Sequence, residues 1–279
     1  MRSVLILVCF LVGDICLGQD AVTKGKKETY DWVPAMRELT KEFKGKPGMV
    51  LRLGDSITYA NPSSAFLRYG KERSAEQLAV CRWMKADTTD ETSGIWLSYV
   101  DQPGGRSHTA ASGVTSAEYL KGGKRGLPSL DVILEKHQPQ IACVLLGTND
   151  IVAKISADDY AKNMETMVTK LLAKKTIPVL ITVPPIERAP DVASTFNERL
   201  WKLGERYKLP VIDYHGEILG RRPTDWNGTL ISKDGVHPSA VDSAGPATEE
   251  NLSRSGYLLL GWATLNKLVE IKHKVIDTK

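Results

Sequence analysis

The chain has 279 residues, 42% apolar and 25% charged, an ordinary globular composition with room for one large α/β domain. A formal net charge of +4, scattered along the chain, is too weak for a nucleic-acid interface, and the one dense run, Lys24-Gly25-Lys26-Lys27, reads as a solvated leader. Two of the four cysteines, Cys9 and Cys16, lie near the start, so the mature chain is expected to have no disulfide framework.

Taken in order, Met1-Arg2-Ser3 precedes an unbroken apolar run over residues 4–12, and Cys16-Leu17-Gly18 follows. A charged start, a short apolar middle and a small-residue end predict a secretory signal at residues 1–18, too short to span a bilayer, and hence an exported protein, periplasmic or extracellular. The other reading, a buried first strand, fails for want of a continuation past Asp14 and the basic run. Residues 19–44 then form an N-terminal extension. In it Trp32, Met36, Leu39 and Phe43 recur at helical spacing and predict a packing helix.

Lys46-Pro47-Gly48 breaks that helix, and residues 49–53 predict the first strand, ending at the turn Gly54-Asp55-Ser56. Arg52 lies inside this strand and needs a partner; Asp213, at the end of a later strand, is the candidate. Residues 60–112 show no periodicity and are expected to be irregular, with one helix over 74–84. A short helix is expected at 116–120 and another from about Ser129 to His137, stopped by Pro139. The apolar runs 141–146 and 177–183 read as strands buried on both faces. Between them Tyr160, Met164, Met167, Val168 and Leu171 mark a helix opened by Ser156. Phe196, Leu200, Leu203 and Tyr207 mark the next helix, 209–214 the next strand and 257–276 a closing helix. Strands alternating with helices predict a parallel central sheet with helices on both faces, and ligands gather where such strands end.

Ser56, the residues after Leu146 and those after Val183 sit at such ends and are expected to share one rim. Ser56 is a candidate nucleophile, which needs a base and oxyanion donors. Leu146-Gly147-Thr148-Asn149-Asp150 places the Asn149 amide after the second confident strand. Asp234-Gly235-Val236-His237 sets a carboxylate three residues from an imidazole, the spacing at which Asp234 orients His237 as a base. His108, His137, His215 and His273 show no metal-ligand spacing to this pair. Before the helix at 116, Ala111-Ser112-Gly113 offers a glycine N–H to a bound anion.

Over residues 45–279 these stretches, in this order, resemble the SGNH hydrolases, or GDSL esterases and lipases. The blocks are Gly54-Asp55-Ser56, with Ile57 where Leu is usual; Gly113; Gly147-Thr148-Asn149-Asp150; and Asp234-Gly235-Val236-His237. The resemblance implies a flavodoxin-like three-layer α/β fold. It also implies a Ser56-His237-Asp234 triad, an oxyanion hole of Ser56 N–H, Gly113 N–H and the Asn149 amide, and no metal or cofactor. The Gly-x-Ser-x-Gly elbow of α/β hydrolases is absent, Thr58 standing where its second glycine belongs.

Two insertions depart from compact members, 60–112 and 239–255, the second displacing the last-helix start to Gly256-Tyr257. Both are expected to border the substrate. In the first, Asn61, Trp83, Trp96 and Arg106 are candidate substrate-binding residues, though Trp83 and Trp96 suit core packing equally. Export and a polar, aromatic insertion point to an esterase removing acetyl or other small acyl groups from carbohydrate, acting on an acylated small molecule or glycan. The alternatives are a lipase or thioesterase on lipid substrates, or a non-catalytic glycan-binding protein of this fold. Asn227-Gly228-Thr229 and Asn251-Leu252-Ser253 match glycosylation sequons.

Overall fold

The computed structural model describes residues 22–278, so the expected signal at 1–18 lies outside the described residues. Four apolar runs form the sheet: β1 (Lys46–Gly54), β2 (Pro139–Leu145), β3 (Ile177–Ile181) and β4 (Val211–Ile212). They lie side by side in that order, all parallel. The pairs Gly54–Leu145, Val144–Leu180 and Ile181–Ile212 bring the carboxyl ends to one rim.

The free edge of β1 is covered by residues 109–111. Ala110 bridges Gly54 in parallel, Ala111 N–H donates to the Gly54 carbonyl at 3.2 Å, and the Thr109 hydroxyl donates to the Arg52 carbonyl at 2.8 Å. Counting that segment as a strand, the spatial order in chain sequence is 2-1-3-4-5. The winding reverses between β1 and β2, and open α/β sheets bind ligands in the crevice at such a point.

The helices, in chain order, are α1 (Val33–Lys41) before β1; α2 (Ser56–Tyr59), α3 (Pro62–Tyr69), α4 (Ala75–Trp83), α5 (Gly94–Tyr99), α6 (Ser116–Lys121) and α7 (Leu130–His137) before β2; α8 (Thr148–Val152) and α9 (Ala157–Ala173) before β3; α10 (Pro190–Tyr207) before β4; and α11 (Tyr214–Arg221), α12 (Glu249–Leu252) and α13 (Gly256–Ile271) after it. On one face α13 packs against α3, α4 and α11, with α5 and α1 beside them; on the other, α9 packs against α6, α7 and α10. Because α13 is buried nearly all round, it reads as continuously apolar rather than striped. None of these helices is long and apolar enough to cross a membrane.

Four expectations are corrected. Residues 60–112 hold three helices, not one: α3 and α5 are too short, and too buried on several sides, for a periodic stripe to show. Strand 209–214 shrinks to Val211–Ile212, because Asp213 caps α11 by accepting from Gly216 N–H at 3.0 Å. The basic leader is not solvated freely. Lys24 and Gly25 N–H donate to Glu217, and Lys26 N–H to Asp213, along the β4 side of the sheet. Finally, Arg52 and Asp213 sit on strands at opposite sides of the sheet and cannot pair. The buried Arg52 guanidinium instead donates to Ser63 Oγ at 2.8 Å and Ser64 Oγ at 2.9 Å on α3.

The second insertion, 239–255, is pinned at its base, Gly256 N–H donating to Ser239 Oγ at 3.0 Å and Tyr257 N–H to Ser239 O at 3.0 Å. It carries α12, where Glu249 meets Lys24 and Arg221, so it is fastened to the start of the chain and to α11 rather than hanging as a loop.

Candidate active site

The buried run Met49–Leu53 delivers the chain to the rim at Gly54. A Cβ on Gly54 would lie 2.1 Å from Thr58 Oγ1 and 2.6 Å from the Leu145 carbonyl, so only glycine lets β1 lie against β2 and turn at once into α2. Asp55 caps that helix, its Oδ1 accepting from Ile57 N–H at 2.9 Å. Ser56 is the first helical residue, and its N–H has no intrahelical acceptor.

From the far end of the chain, His237 reaches Ser56: Nε2 lies 2.9 Å from Ser56 Oγ, and Nδ1 lies 2.7 Å from Asp234 Oδ2. The other Asp234 oxygen accepts from Ser232 Oγ at 2.8 Å and from the Val236 and His237 N–H groups, each at 2.9 Å. Partial burial works to raise the Asp234 pKa, but these donors together with His237 outweigh it and hold the carboxyl well below its ordinary range. An ionised Asp234 keeps the proton on Nδ1 and leaves the Nε2 lone pair facing Ser56. The loop is braced as well, Ser232 N–H donating to His237 O at 2.7 Å and Glu187 N–H to Gly235 O at 3.0 Å.

Gly113 follows directly on the segment held to β1, with φ of +75° and no atom within 4 Å of where a side chain would begin. Among the described residues its N–H has no acceptor, so it is free for an anion. Asn149, in the first turn of α8, donates from Nδ2 to Asp55 Oδ2 at 3.1 Å. Asp150 beside it is buried and accepts from Ser116 N–H at 2.9 Å and from the Ser116 hydroxyl, while Asn163 Nδ2 donates to Ser116 Oγ at 3.0 Å. This joins α8 to the start of α6, three residues past Gly113, and sets the two elements against each other. Burial raises the Asp150 pKa, with the Ser116 donors opposing it. In the sequence Asp55 and Asp150 stand inside the two motifs with no task of their own. A carboxylate next to each site residue at the end of a buried strand was the available signal.

Of the four candidate substrate-binding residues, Asn61 lies just past α2, exposed, its Oδ1 accepting from Arg68 Nη1 at 3.0 Å. Around it Tyr59 donates to Asp101, and the Arg68 guanidinium lies 3.7 Å over the Tyr99 ring and 4.4 Å over Tyr69. Trp83 and Trp96 serve packing, and Arg106 pairs through its backbone with Ala111, two residues before Gly113. Trp83 has its carbonyl against Gly48, near the beginning of β1 and thus at the opposite end of the sheet from Ser56, with Lys272 Nζ 5.4 Å over its ring. Trp96 packs on the core and faces His108, ring centroids 5.7 Å apart. Arg106 donates to Ser107 O at 3.0 Å and lies beside Gly126. Trp83 and Trp96 are packing residues, and within the insertion α3 and α4 layer on α13 while α5 packs on β1.

Next to the Asp234–Val236 loop lies a groove of about 760 Å³, walled by Ile151 and Val152 of α8, Ile155, Ile186, Val192 and Val236. Val152 is 63% and Val192 42% exposed, so part of this apolar wall faces water.

The model of a family described as GDSL-like lipase/acylhydrolase matches residues 53–241, which hold Ser56, Gly113, Asn149, Asp234 and His237. No curated protein matches in sequence. Among solved structures, a carbohydrate esterase family 3 enzyme from Talaromyces cellulolyticus is similar at 17% identity and TM-score 0.55, over 83% of this chain and 99% of that one. A catalytic mutant of an acetylxylan esterase from Geobacillus stearothermophilus gives 17%, 0.52, 80% and 95% in the same terms. A psychrotrophic esterase from Pseudoalteromonas sp. gives 18%, 0.51, 81% and 99%. At such identities the likeness is one of fold.

Proposed function

The chain belongs to the GDSL-like lipase/acylhydrolase family and is a carboxylic ester hydrolase, and from that premise we propose that it is an exported serine esterase that removes acetyl or similar small acyl groups from carbohydrate. The reading is carried by the hydrogen-bonded chain Ser56–His237–Asp234, with spacings of 2.9 and 2.7 Å. Ser56 Oγ attacks the ester carbonyl carbon as His237 Nε2 takes its proton. The tetrahedral oxyanion is received by Ser56 N–H, Gly113 N–H and Asn149 Nδ2. On collapse the proton passes from His237 to the departing alcohol, leaving an acyl-Ser56. His237 then deprotonates water, which attacks the acyl carbon, frees the acid and restores Ser56. Asp234, ionised throughout, stabilises the imidazolium formed in each half.

Support for a carbohydrate substrate comes from two of the fold relatives, an acetylxylan esterase and a carbohydrate esterase. It comes also from the polar and aromatic surroundings of α2, where Tyr59, Asn61 and Asp101 suit hydroxyl groups. Export is read from residues 1–18. A second reading, an acyl hydrolase acting on longer apolar chains, is favoured by one observation, the apolar groove beside Asp234.

Turnover of p-nitrophenyl acetate, butyrate and octanoate, together with acetate release from acetylated xylo-oligosaccharides, separates the two. The carbohydrate reading predicts that acetate is the best ester and that acetylated sugars release acetate. A rise in kcat/KM of about tenfold or more from acetate to octanoate, about 1.4 kcal/mol of added apolar binding, would sink it in favour of the second.

A further inference from the structure

Asp55 takes no proton in the steps above, yet it stands next to the nucleophile, fully buried and without an ion-pair partner among the described residues. Burial, with Asp150 nearby, pushes its carboxyl up to about 7, while the Ile57 N–H and the neighbouring His237 pull it back. A buried acid held at such a cost has work at the site more readily than in the fold.

Its two oxygens answer two different donors. Oδ1 accepts from Ile57 N–H at 2.9 Å and Oδ2 from Asn149 Nδ2 at 3.1 Å. Asn149 is only part-buried, and an amide there is free to exchange its oxygen and nitrogen by a half-turn unless a neighbour discriminates. Asp55 discriminates, since turning the amide would set the Asn149 oxygen against a carboxylate oxygen. With Nδ2 held inward, one of its two N–H groups is used on Asp55 and the other is left for a second acceptor.

We propose that Asp55 is a positioning residue for ester hydrolysis, fixing the Asn149 side chain so that the second N–H of Nδ2 meets the oxyanion. The inference rests on Asn149 being an oxyanion donor, as read above. It requires the ionised carboxylate, because both oxygens must accept, so the positioning of Asn149 is complete only above the raised Asp55 pKa, at about pH 8 and higher. Asparagine at position 55 offers one acceptor and one NH₂, so either Ile57 N–H or Asn149 Nδ2 would face a donor. Alanine offers neither and releases the amide.

A double-mutant cycle tests this with p-nitrophenyl acetate, reading kcat and KM for Asp55→Ala, Asp55→Asn, Asn149→Ala and the pair Asp55→Ala/Asn149→Ala. Binding of a small alkyl boronic acid, whose adduct with Ser56 places an oxygen in the hole, is read alongside. Asn149→Ala should lower kcat about 10²-fold. Asp55→Ala and Asp55→Asn should each lower it at least about tenfold with KM within about threefold, and weaken the boronic acid in parallel, as loss of a transition-state donor does. In the Asn149→Ala background, Asp55→Ala should cost no more than about threefold further. An Asp55 penalty of the same size in both backgrounds overturns the proposal, because Asp55 would then act on Ser56 or on the fold; so does a folded Asp55→Ala enzyme with unchanged kcat. A silent Asn149→Ala would instead sink the oxyanion reading itself. Should neither Asp55 variant fold, the unaltered enzyme decides. One slowly exchanging Asn149 Hδ2 proton is expected, and a freely rotating, fast-exchanging pair contradicts the assignment.

Discussion

Two turns meet at the site, each with an aspartate, and the two carboxyls are held in opposite ways. In the loop before α12, the Asp234 side chain is 50% exposed and gathers Ser232 Oγ, two backbone N–H groups and His237 Nδ1. In the turn after β1, Asp55 has no exposure and, among the described residues, accepts from Ile57 N–H and Asn149 Nδ2 alone. Many donors and nearby water keep the first ionised, whereas desolvation with few donors drives the second towards its neutral form. Contact assigns the partners, Asp234 meeting His237 Nδ1 at 2.7 Å and Asp55 meeting Asn149 Nδ2 at 3.1 Å, while donors and access to water set how readily each carboxyl ionises.

The sharpest way to break that contrast is Asp234→Asn. Its Oδ1 would still satisfy Ser232, Val236 and His237 N–H, but its NH₂ would face Nδ1 and force the ring proton onto Nε2. His237 would then donate to Ser56 instead of accepting from it. A fall in kcat of about 10³- to 10⁴-fold with an unchanged fold is expected, comparable to the same change in serine proteases. A loss under about tenfold would remove Asp234 from its role.

Stability against pH sharpens the same contrast. From the ordinary carboxylate range up to about pH 7 folded Asp55 keeps a proton that the unfolded chain gives up, so the native state binds more protons and stability falls as pH rises through that window. Asp234 works in the other direction, its contribution present above the ordinary carboxylate range and lost on acidification. Urea unfolding of wild type and Asp55→Asn at pH 5, 6, 7 and 8 should show a flatter slope in the variant. Parallel curves would contradict the buried, pushed-up Asp55.

The smallest effect on activity is expected at the other end of the sheet. Trp83→Ala should lower Tm by removing part-buried aromatic packing against Gly48 and Lys272, while kcat/KM on acetylated sugar stays within about twofold. Loss of activity without loss of stability would return Trp83 to the substrate.

What could be read from the sequence follows from the length of each signal. The runs that became β1, β2 and β3 are mainly apolar stretches, interrupted in β1 by Arg52, and α9 and α10 show full stripes. Ser56 and Asn149 stand out because each follows such a run at short range, and Asp234 and His237 because a carboxylate and an imidazole lie three residues apart. α2, α8 and α12 are single turns with too few residues to carry a period, and α3 and α5 disappear because burial on several sides erases the stripe. Contacts such as Asp150 to Ser116, Asn149 to Asp55 and Arg52 to Ser63 join residues that no local pattern pairs. The Arg52–Asp213 pairing failed for that reason: two charge-bearing strands were identified, but not their places on opposite sides of the sheet.

The central claim is that Ser56, activated by His237, is the nucleophile. Treating the enzyme with a fluorophosphonate and mapping the adduct by peptide mass spectrometry tests it most directly. A single phosphonyl group on Ser56, formed with loss of esterase activity and slowed at least about 10³-fold by His237→Ala, is predicted. Full inactivation with the adduct on another residue, or labelling of Ser56 at an unchanged rate without His237, would contradict it.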